Sequence, residues 1–164
     1  MRNLIVSLIA LLLTACSGVK PYPNTGNKNF SVKAEPDSVA ALLKNAGATL
    51  DIYGVNPDCS TVYKGTVRLD QPVTEIALPP KQQSHLVFAL GVLAGSSDVS
   101  YKTLFEPRAG YRYMATVREA QHLGSVPETA PVDNLLDIVI YEMNPGGRQS
   151  REIDPKSLEK CKKI

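Results

Sequence analysis

Histidine, serine and cysteine are the residues from which enzymes most often build nucleophilic or metal-dependent sites, and this chain holds few in a usable arrangement. Its two histidines, His85 and His122, have no acidic residue spaced locally to orient the ring, as a catalytic triad requires. No G-x-S-x-G frame surrounds a serine, and phosphate-binding glycine motifs are absent from the sequence. We therefore expect no catalytic residues, no metal site and no cofactor, and a protein that is not an enzyme.

Apolar residues dominate the start of the chain and stop just before a cysteine. The apolar run over residues 4–13 is ten residues long, whereas a helix that spans a bilayer needs about 20. With the positively charged Arg2 before it, the run fits the hydrophobic region of a secretory signal peptide. The small residues Thr14 and Ala15 follow, and then comes Cys16.

The tetrapeptide "LTAC" at positions 13–16 resembles the lipobox of bacterial lipoproteins. The resemblance implies that a diacylglycerol is attached to the thiol of Cys16, that residues 1–15 are removed, and that the new amino terminus is acylated. Several acyl chains hold a protein stably on a membrane, so Cys16 would replace a transmembrane helix. The alternative is an ordinary signal peptide, with Cys16 unmodified. In the lipoproteins that the lipobox resembles, Asp at the next position is an inner-membrane retention signal. Because Ser17 stands there instead, the resemblance implies the outer membrane, with the protein facing the periplasm.

The remaining two cysteines form an even set once Cys16 is lipidated. In an oxidising compartment Cys59 and Cys161 are expected to form a disulfide. It would close a loop of about 100 residues, worth about 4–5 kcal/mol in the loop-entropy model. The alternatives are two free thiols or a metal pair, and the lack of a CxxC motif or a nearby histidine argues against a metal.

The charge of the mature chain is close to neutral. Only Arg2 among the 18 basic residues leaves with the signal peptide, so the balance against 16 acidic residues becomes +1. No block of Lys and Arg points to nucleic acid, and the small basic tail at residues 160–163 is read as a solvated terminus. The expected partners are therefore the membrane, through the anchor on Cys16, and another protein of the envelope.

Composition divides the chain into three parts. Residues 1–15 are the expected signal peptide. Residues 16–29, rich in Pro, Gly and Asn, are expected to be a lipidated amino terminus and flexible tether. Residues 30–164 are expected to fold as one domain, which is large enough for a real core.

Short segments with alternating apolar and polar residues dominate the domain. They are separated by Pro, Gly and Asn, and they begin near residues 30, 48, 61, 73, 84, 99, 111, 134 and 148. This pattern predicts an antiparallel, immunoglobulin-like or transthyretin-like β-sandwich of about seven strands. Two short helices are also expected, one in "DSVAALLKNAG" with Asp37 or Ser38 as the cap, and one in "DPKSLEKCKK".

The tyrosines of "PRAGYRYMATV" are the candidate binding residues. The segment resembles the proline–glycine–tyrosine start of a strand in transthyretin-like and other β-sandwich domains, which implies that Tyr111 closes a corner by bonding to the backbone. The alternative is that Tyr111 and Tyr113 form an exposed patch for recognition. The Gly- and Pro-containing loop 119–133 is a second candidate, either for binding or as a solvated crossover.

The whole pattern, with "YKGTV", "LVF", "PRAGYRY" and "IVIYE" between the two cysteines, is similar to small uncharacterised proteobacterial envelope lipoproteins. This resemblance implies a fold and a location in the cell envelope, but no activity. The expected function is that of a non-enzymatic, lipid-anchored envelope protein that serves as a protein-binding or structural module. The type VI secretion lipoprotein is a familiar protein of this kind, but its interaction loop is not matched here. The alternative is a small-ligand-binding or hydrolase-inhibiting module like the periplasmic lysozyme inhibitors, whose inhibitory motif is not apparent.

Overall fold

The computed structural model describes residues 19–90, 99–119, 136–144, 146, 148–154, 156, 158 and 161. Cys16, His122, and all but the first residue of the loop 119–133 lie outside the described residues. Within them the chain forms one α-helix and nine strands. These are β1 (Phe30–Glu35), α1 (Asp37–Asn45), β2 (Thr49–Val55), β3 (Thr61–Arg68), β4 (Val73–Ile76), β5 (Ser84–Leu90), β6 (Val99–Phe105), β7 (Arg112–Glu119), β8 (Leu136–Met143) and β9 (Gln149–Ile153).

The strands form two sheets, so the expected β-sandwich is confirmed. One sheet has five strands in the order β4-β1-β7-β8-β9, and the other has four in the order β3-β2-β5-β6. All neighbours are antiparallel except β1 and β7, which run parallel. The described part of the chain thus has nine strands rather than about seven. Its first two strands lie in opposite sheets, whereas immunoglobulin constant domains place them in one.

The alternating residues that the sequence assigns to inner faces do form the core. Successive side chains of a strand point to opposite faces, so every second residue can face the opposite sheet. Phe30, Val32 and Ala34 of β1 are buried, as are Leu50 and Ile52 of β2. β5 is a central strand, as predicted, because it lies between β2 and β6.

Helix α1 lies where it was predicted, but its start differs. Asp37 is its first residue rather than its cap, and no side chain caps the amino terminus, where Pro36 precedes it. Val39 and Leu43 face the core, whereas Leu42 remains 46% exposed. In the part of the chain that the structure describes, no helix has the length and apolarity to cross a membrane. Of the second expected helix, four residues are described. Leu158 and Cys161 have 3₁₀ conformation, whereas Asp154 is irregular and Lys156 forms a β-bridge with Leu104.

The described part of the expected tether is hydrogen-bonded to the domain. Tyr22 N–H donates to the Thr66 carbonyl (3.0 Å), and Thr66 N–H donates to the Lys20 carbonyl (2.9 Å). The amides of Asn24 and Asn29 then bond the backbone of residues 75–78. Residues 20–29 therefore close one side of the sandwich, between the edge strands β3 and β4. Composition suggests a free segment, but side-chain amides can replace strand pairing at an edge.

The carboxyl-terminal segment closes part of the other side. Leu104 N–H, in the edge strand β6, donates to the Lys156 carbonyl (2.7 Å), and Lys156 N–H donates to the Thr103 hydroxyl (3.2 Å). Cys161 is bonded to Cys59 in the β2–β3 hairpin, so the predicted disulfide is present. The bond fixes the end of the chain to the hairpin loop.

Candidate functional site

Two clusters of polar and aromatic side chains stand out among the described residues. The first lies where the chain enters β7, and it contains the predicted residues Tyr111 and Tyr113. The second lies on the outer face of the four-stranded sheet, and the sequence analysis did not identify it.

Tyr113 is the residue that closes the corner before β7. Its side chain is buried, and its hydroxyl accepts a hydrogen bond from the backbone N–H of Arg108, five residues upstream (3.0 Å). The same hydroxyl donates to a carboxylate oxygen of Glu142 in β8 (3.1 Å). This is the arrangement of a tyrosine corner, which the sequence analysis assigned to Tyr111. The assignment shifts because β7 begins at Arg112, so Tyr113 is the first tyrosine with a side chain on the inner face.

Glu142 is a buried carboxylate with cations around it. Only 4% of the residue is exposed, and an isolated charge at that depth would be strongly disfavoured. Arg108 contacts both carboxylate oxygens (3.1 and 3.2 Å), and Arg151 of β9 lies 3.6 Å from one of them. These contacts compensate the charge, so the cluster joins the β7 corner to β8 and β9.

Tyr111 is partly exposed and contacts Arg108 of this ion pair. The guanidinium carbon of Arg108 lies 3.9 Å from the centre of the Tyr111 ring, within the range of a cation–π contact. The Tyr111 hydroxyl also accepts a hydrogen bond from Arg108 (2.9 Å).

Burial raises the pKa of Tyr113 above its usual value, so its hydroxyl stays protonated at neutral pH. The structure thus brings the two predicted tyrosines together in a structural cluster.

The second cluster is an aromatic row across three strands of the four-stranded sheet. Tyr63 of β3, Tyr53 of β2 and His85 of β5 are adjacent because β2 pairs Tyr53 with both of the others. The ring centres of Tyr53 and Tyr63 lie 5.3 Å apart, and those of Tyr53 and His85 lie 5.8 Å apart. Each strand segment contains its aromatic residue, but only the register of the sheet aligns the three. We call these three residues the aromatic row.

The aromatic row faces away from the core and is held in place from one end. The Tyr63 hydroxyl and the Thr66 hydroxyl are hydrogen-bonded (2.6 Å), and Thr66 donates to a carboxylate oxygen of Asp51. Tyr63 is 36% exposed, and Tyr53 and His85 are each partly exposed. The row therefore presents three ring systems to solvent in a fixed arrangement.

Of the two histidines, neither of which the sequence predicts to be catalytic, His85 is the one among the described residues. Burial lowers its pKa, and the nearby positive charge of Lys102 lowers it further, so the imidazole is neutral at neutral pH. A catalytic histidine is usually oriented by a carboxylate, whereas His85 lies beside a tyrosine and a cation. Among the described residues, no group of three or more His, Cys, Asp or Glu side chains is placed to hold a metal ion.

The edge of β3 beside the row is partly open. The amino-terminal segment covers it at Thr66, but on the side away from β2 no described strand pairs with residues 61–64. Val62 there is 45% exposed, and a bulge opposite residues 52 and 53 interrupts the ladder with β2. Edge strands with exposed apolar side chains are sites at which a second chain can bind.

No protein-family model, curated protein or solved structure matches this chain. The functional conclusions below therefore depend on the residues and their arrangement.

Proposed function

We propose that this protein is a non-enzymatic, lipid-anchored protein of the bacterial cell envelope that binds another envelope protein through its aromatic row. The anchor is the lipidated Cys16, and the location is the outer membrane, on the side that faces the periplasm. The observation that supports recognition is the set of three adjacent, partly exposed rings beside an open strand edge.

Tyrosine is well suited to the centre of a protein interface. Its ring supplies a large apolar area, its hydroxyl adds one hydrogen bond, and it loses little conformational entropy when it is fixed. In the row this cost is reduced further, because Tyr63 is already held by Thr66. A partner that covers Tyr53 and His85 would bury apolar ring surface without disturbing the core.

The rest of the molecule supports the choice of this surface. The edge of β4 is bonded by Asn24, and the edge of β6 is bonded by Lys156. The edge strand β9 presents the exposed charged residues Arg151 and Glu152, which disfavour pairing with another strand. Among the described edges, β3 is the one that combines unpaired backbone with exposed Val62 and Tyr63.

The test is chemical crosslinking in the native envelope followed by purification of the lipidated protein. Tyr53→Ala should reduce the recovered partner by about tenfold or more, because truncation of a central tyrosine typically costs about 2 kcal/mol or more of binding energy. The matched control is Tyr141→Ala, which removes a partly exposed tyrosine from the five-stranded sheet.

Two results would count against the proposal. One is equal loss of the partner in both tyrosine variants, which would show that the row is not the contact surface. The other is recovery of the parent protein alone from crosslinked envelopes. Inhibition of lysozyme by the purified protein at micromolar concentration, unaffected by Tyr53→Ala, would favour the inhibitor alternative instead.

A further inference from the structure

We infer that the groove between residues 19–21 and the start of β2 lies against the membrane and binds its anionic headgroups. The inference rests on the proposed lipid anchor at Cys16 and specifies which surface of the domain the anchor holds at the bilayer. It follows from three observations: the docked amino-terminal segment, the short chain before it, and the composition of the groove.

The docked segment fixes the direction from which the chain leaves the domain. Two backbone hydrogen bonds join Lys20 and Tyr22 to Thr66, and the Tyr22 hydroxyl donates to the Ala77 carbonyl (2.8 Å). Gly65 permits this close approach, because a Cβ atom on it would lie 2.5 Å from the Cα of Tyr22. The point of departure is therefore part of the folded domain.

The chain between the anchor and this point is too short to let the domain turn freely. Cys16 and Lys20 are four residues apart, and an extended chain covers at most about 3.6 Å per residue, or about 14 Å in all. The headgroup region of one leaflet is itself about 5–7 Å thick. The surface around Lys20 must therefore lie close to the headgroups.

The groove next to Lys20 has the composition of a membrane-contacting surface. Val19, Pro21, Lys44 and Arg68 are among its lining residues, and Val19 is 60% exposed. Lys20, Lys44 and Arg68 are exposed cations, and the one acidic residue of the groove is Asp70.

The adjoining helix extends this surface. Leu42 of α1 is 46% exposed although it is a large apolar residue, and it directly precedes Leu43 and Lys44, both of which line the groove. Apolar side chains flanked by cations are typical of surfaces that rest on anionic bilayers, where the rings or aliphatic groups enter the headgroup layer and the cations pair with phosphates. A membrane that already holds the anchor is the partner that fits both the position and the charge.

The test uses tryptophan fluorescence, because the chain has no tryptophan of its own. Three single-tryptophan variants of the lipidated protein, Val19→Trp, Leu42→Trp and Gln82→Trp, are placed in vesicles of brominated phosphatidylcholine with phosphatidylserine. Gln82 precedes β5, and its neighbour Gln83 bonds Val55 at the far end of β2 from the groove, about 20 Å away. Bromine quenches tryptophan only at short range, so the three variants report which surface touches lipid.

The expected result is strong quenching at positions 19 and 42 and none at position 82. Quenching at position 19 alone would overturn the inference while leaving the anchor intact. Equal quenching at all three positions would also overturn it, because the domain would then have no preferred face. Absence of quenching at position 19 would overturn it as well, because the surface around Lys20 would then lie away from the lipid. Failure of the proposed anchor is distinguishable, because the purified protein would then carry no lipid on Cys16.

Charge reversal gives an independent check. In the Leu42→Trp background, Lys44→Glu with Arg68→Glu should reduce quenching in anionic vesicles by at least about fivefold, since each cation near a charged bilayer contributes substantially to binding. The matched control, Lys81→Glu with Arg148→Glu, changes two exposed cations elsewhere and should leave quenching unchanged. Equal effects of the two pairs would indicate a general charge effect and contradict a specific face.

Discussion

The hydroxyl of Tyr113 in β7 connects this strand to the corner before it, at Arg108, and to β8, at Glu142. It accepts a hydrogen bond from the backbone N–H of Arg108 and donates one to Glu142. The Glu142 carboxylate in turn forms ion pairs with the Arg108 and Arg151 side chains. A buried network in which every polar group has its hydrogen bond favours one arrangement of the side chains, because loss of any member leaves another buried group without a hydrogen-bond partner. The corner before β7 is therefore defined by this residue rather than by the turn alone.

Tyr113→Phe should lower the free energy of unfolding by about 1–3 kcal/mol, because it removes an acceptor and a donor from buried groups. Tyr111→Phe is the matched control and should cost less than about 1 kcal/mol, since it loses one exposed bond to Arg108 and keeps the ring contact. Urea unfolding of both variants measures the difference. A larger loss in Tyr111→Phe would restore the original assignment of the corner.

His85 should make the stability of the protein depend on pH in the mildly acidic range. Burial lowers its pKa in the folded state, so the unfolded chain binds the proton more tightly. Its contribution to stability is present above the unfolded pKa of about 6.5 and is lost as the pH falls from that value through the lower folded pKa.

The comparison is between the parent and His85→Gln, each unfolded by urea at pH 7.5 and at pH 5. Carboxylates contribute equally to both proteins, so the difference isolates the imidazole. The parent should lose more stability than the variant over this range. Identical losses would mean that His85 is as easily protonated in the fold as in the unfolded chain.

The elements of the sandwich are largely predictable from alternation, whereas the segments that close its sides are not. Phe30, Val32 and Ala34 alternate with polar residues, and burial of one face follows directly. Residues 20–29 have the composition of a linker, but Asn24 and Asn29 find backbone partners 49 to 53 residues away. No local pattern encodes such distant bonds, and the aromatic row depends on strand register in the same way.

Gly65→Ala should detach the amino-terminal segment from β3. The new methyl group would meet the backbone of Tyr22, and the positive φ of 146° adds strain, so the expected cost is about 3 kcal/mol or more. Gly110→Ala is the control, since φ is 82° there but nothing lies within 4 Å of the added atom. It should cost only about 1–2 kcal/mol.

Hydrogen exchange separates these two effects. The amide of Tyr22 should exchange much faster in Gly65→Ala than in the parent, because its bond to the Thr66 carbonyl is lost. Gly110→Ala should leave that amide protected. An unchanged Tyr22 amide in Gly65→Ala would show that the segment does not depend on the close approach.

At the scale of the whole molecule, the groove proposed to lie on the membrane and the aromatic row proposed to bind a partner both involve the four-stranded sheet. Thr49, at the start of β2, lines the groove assigned to the membrane, and Tyr53 lies four residues along the same strand, about 13 Å further. Tyr63 adjoins the groove, because its hydroxyl contacts Thr66 and the Lys20 carbonyl (3.4 Å). With the groove on the bilayer, Tyr53 and His85 are the members of the row that a periplasmic partner would cover. The disulfide between Cys59 and Cys161 secures the hairpin beyond it.

All of these functional proposals depend on the lipid anchor, and the mass of the intact protein tests it most directly. Protein purified from the membrane fraction should lack residues 1–15, begin at Cys16, and exceed the mass of that polypeptide by a diacylglycerol and an amide-linked acyl chain. The Cys16→Ser variant should carry no lipid. A membrane-bound protein whose mass equals that of the unmodified polypeptide would contradict the account.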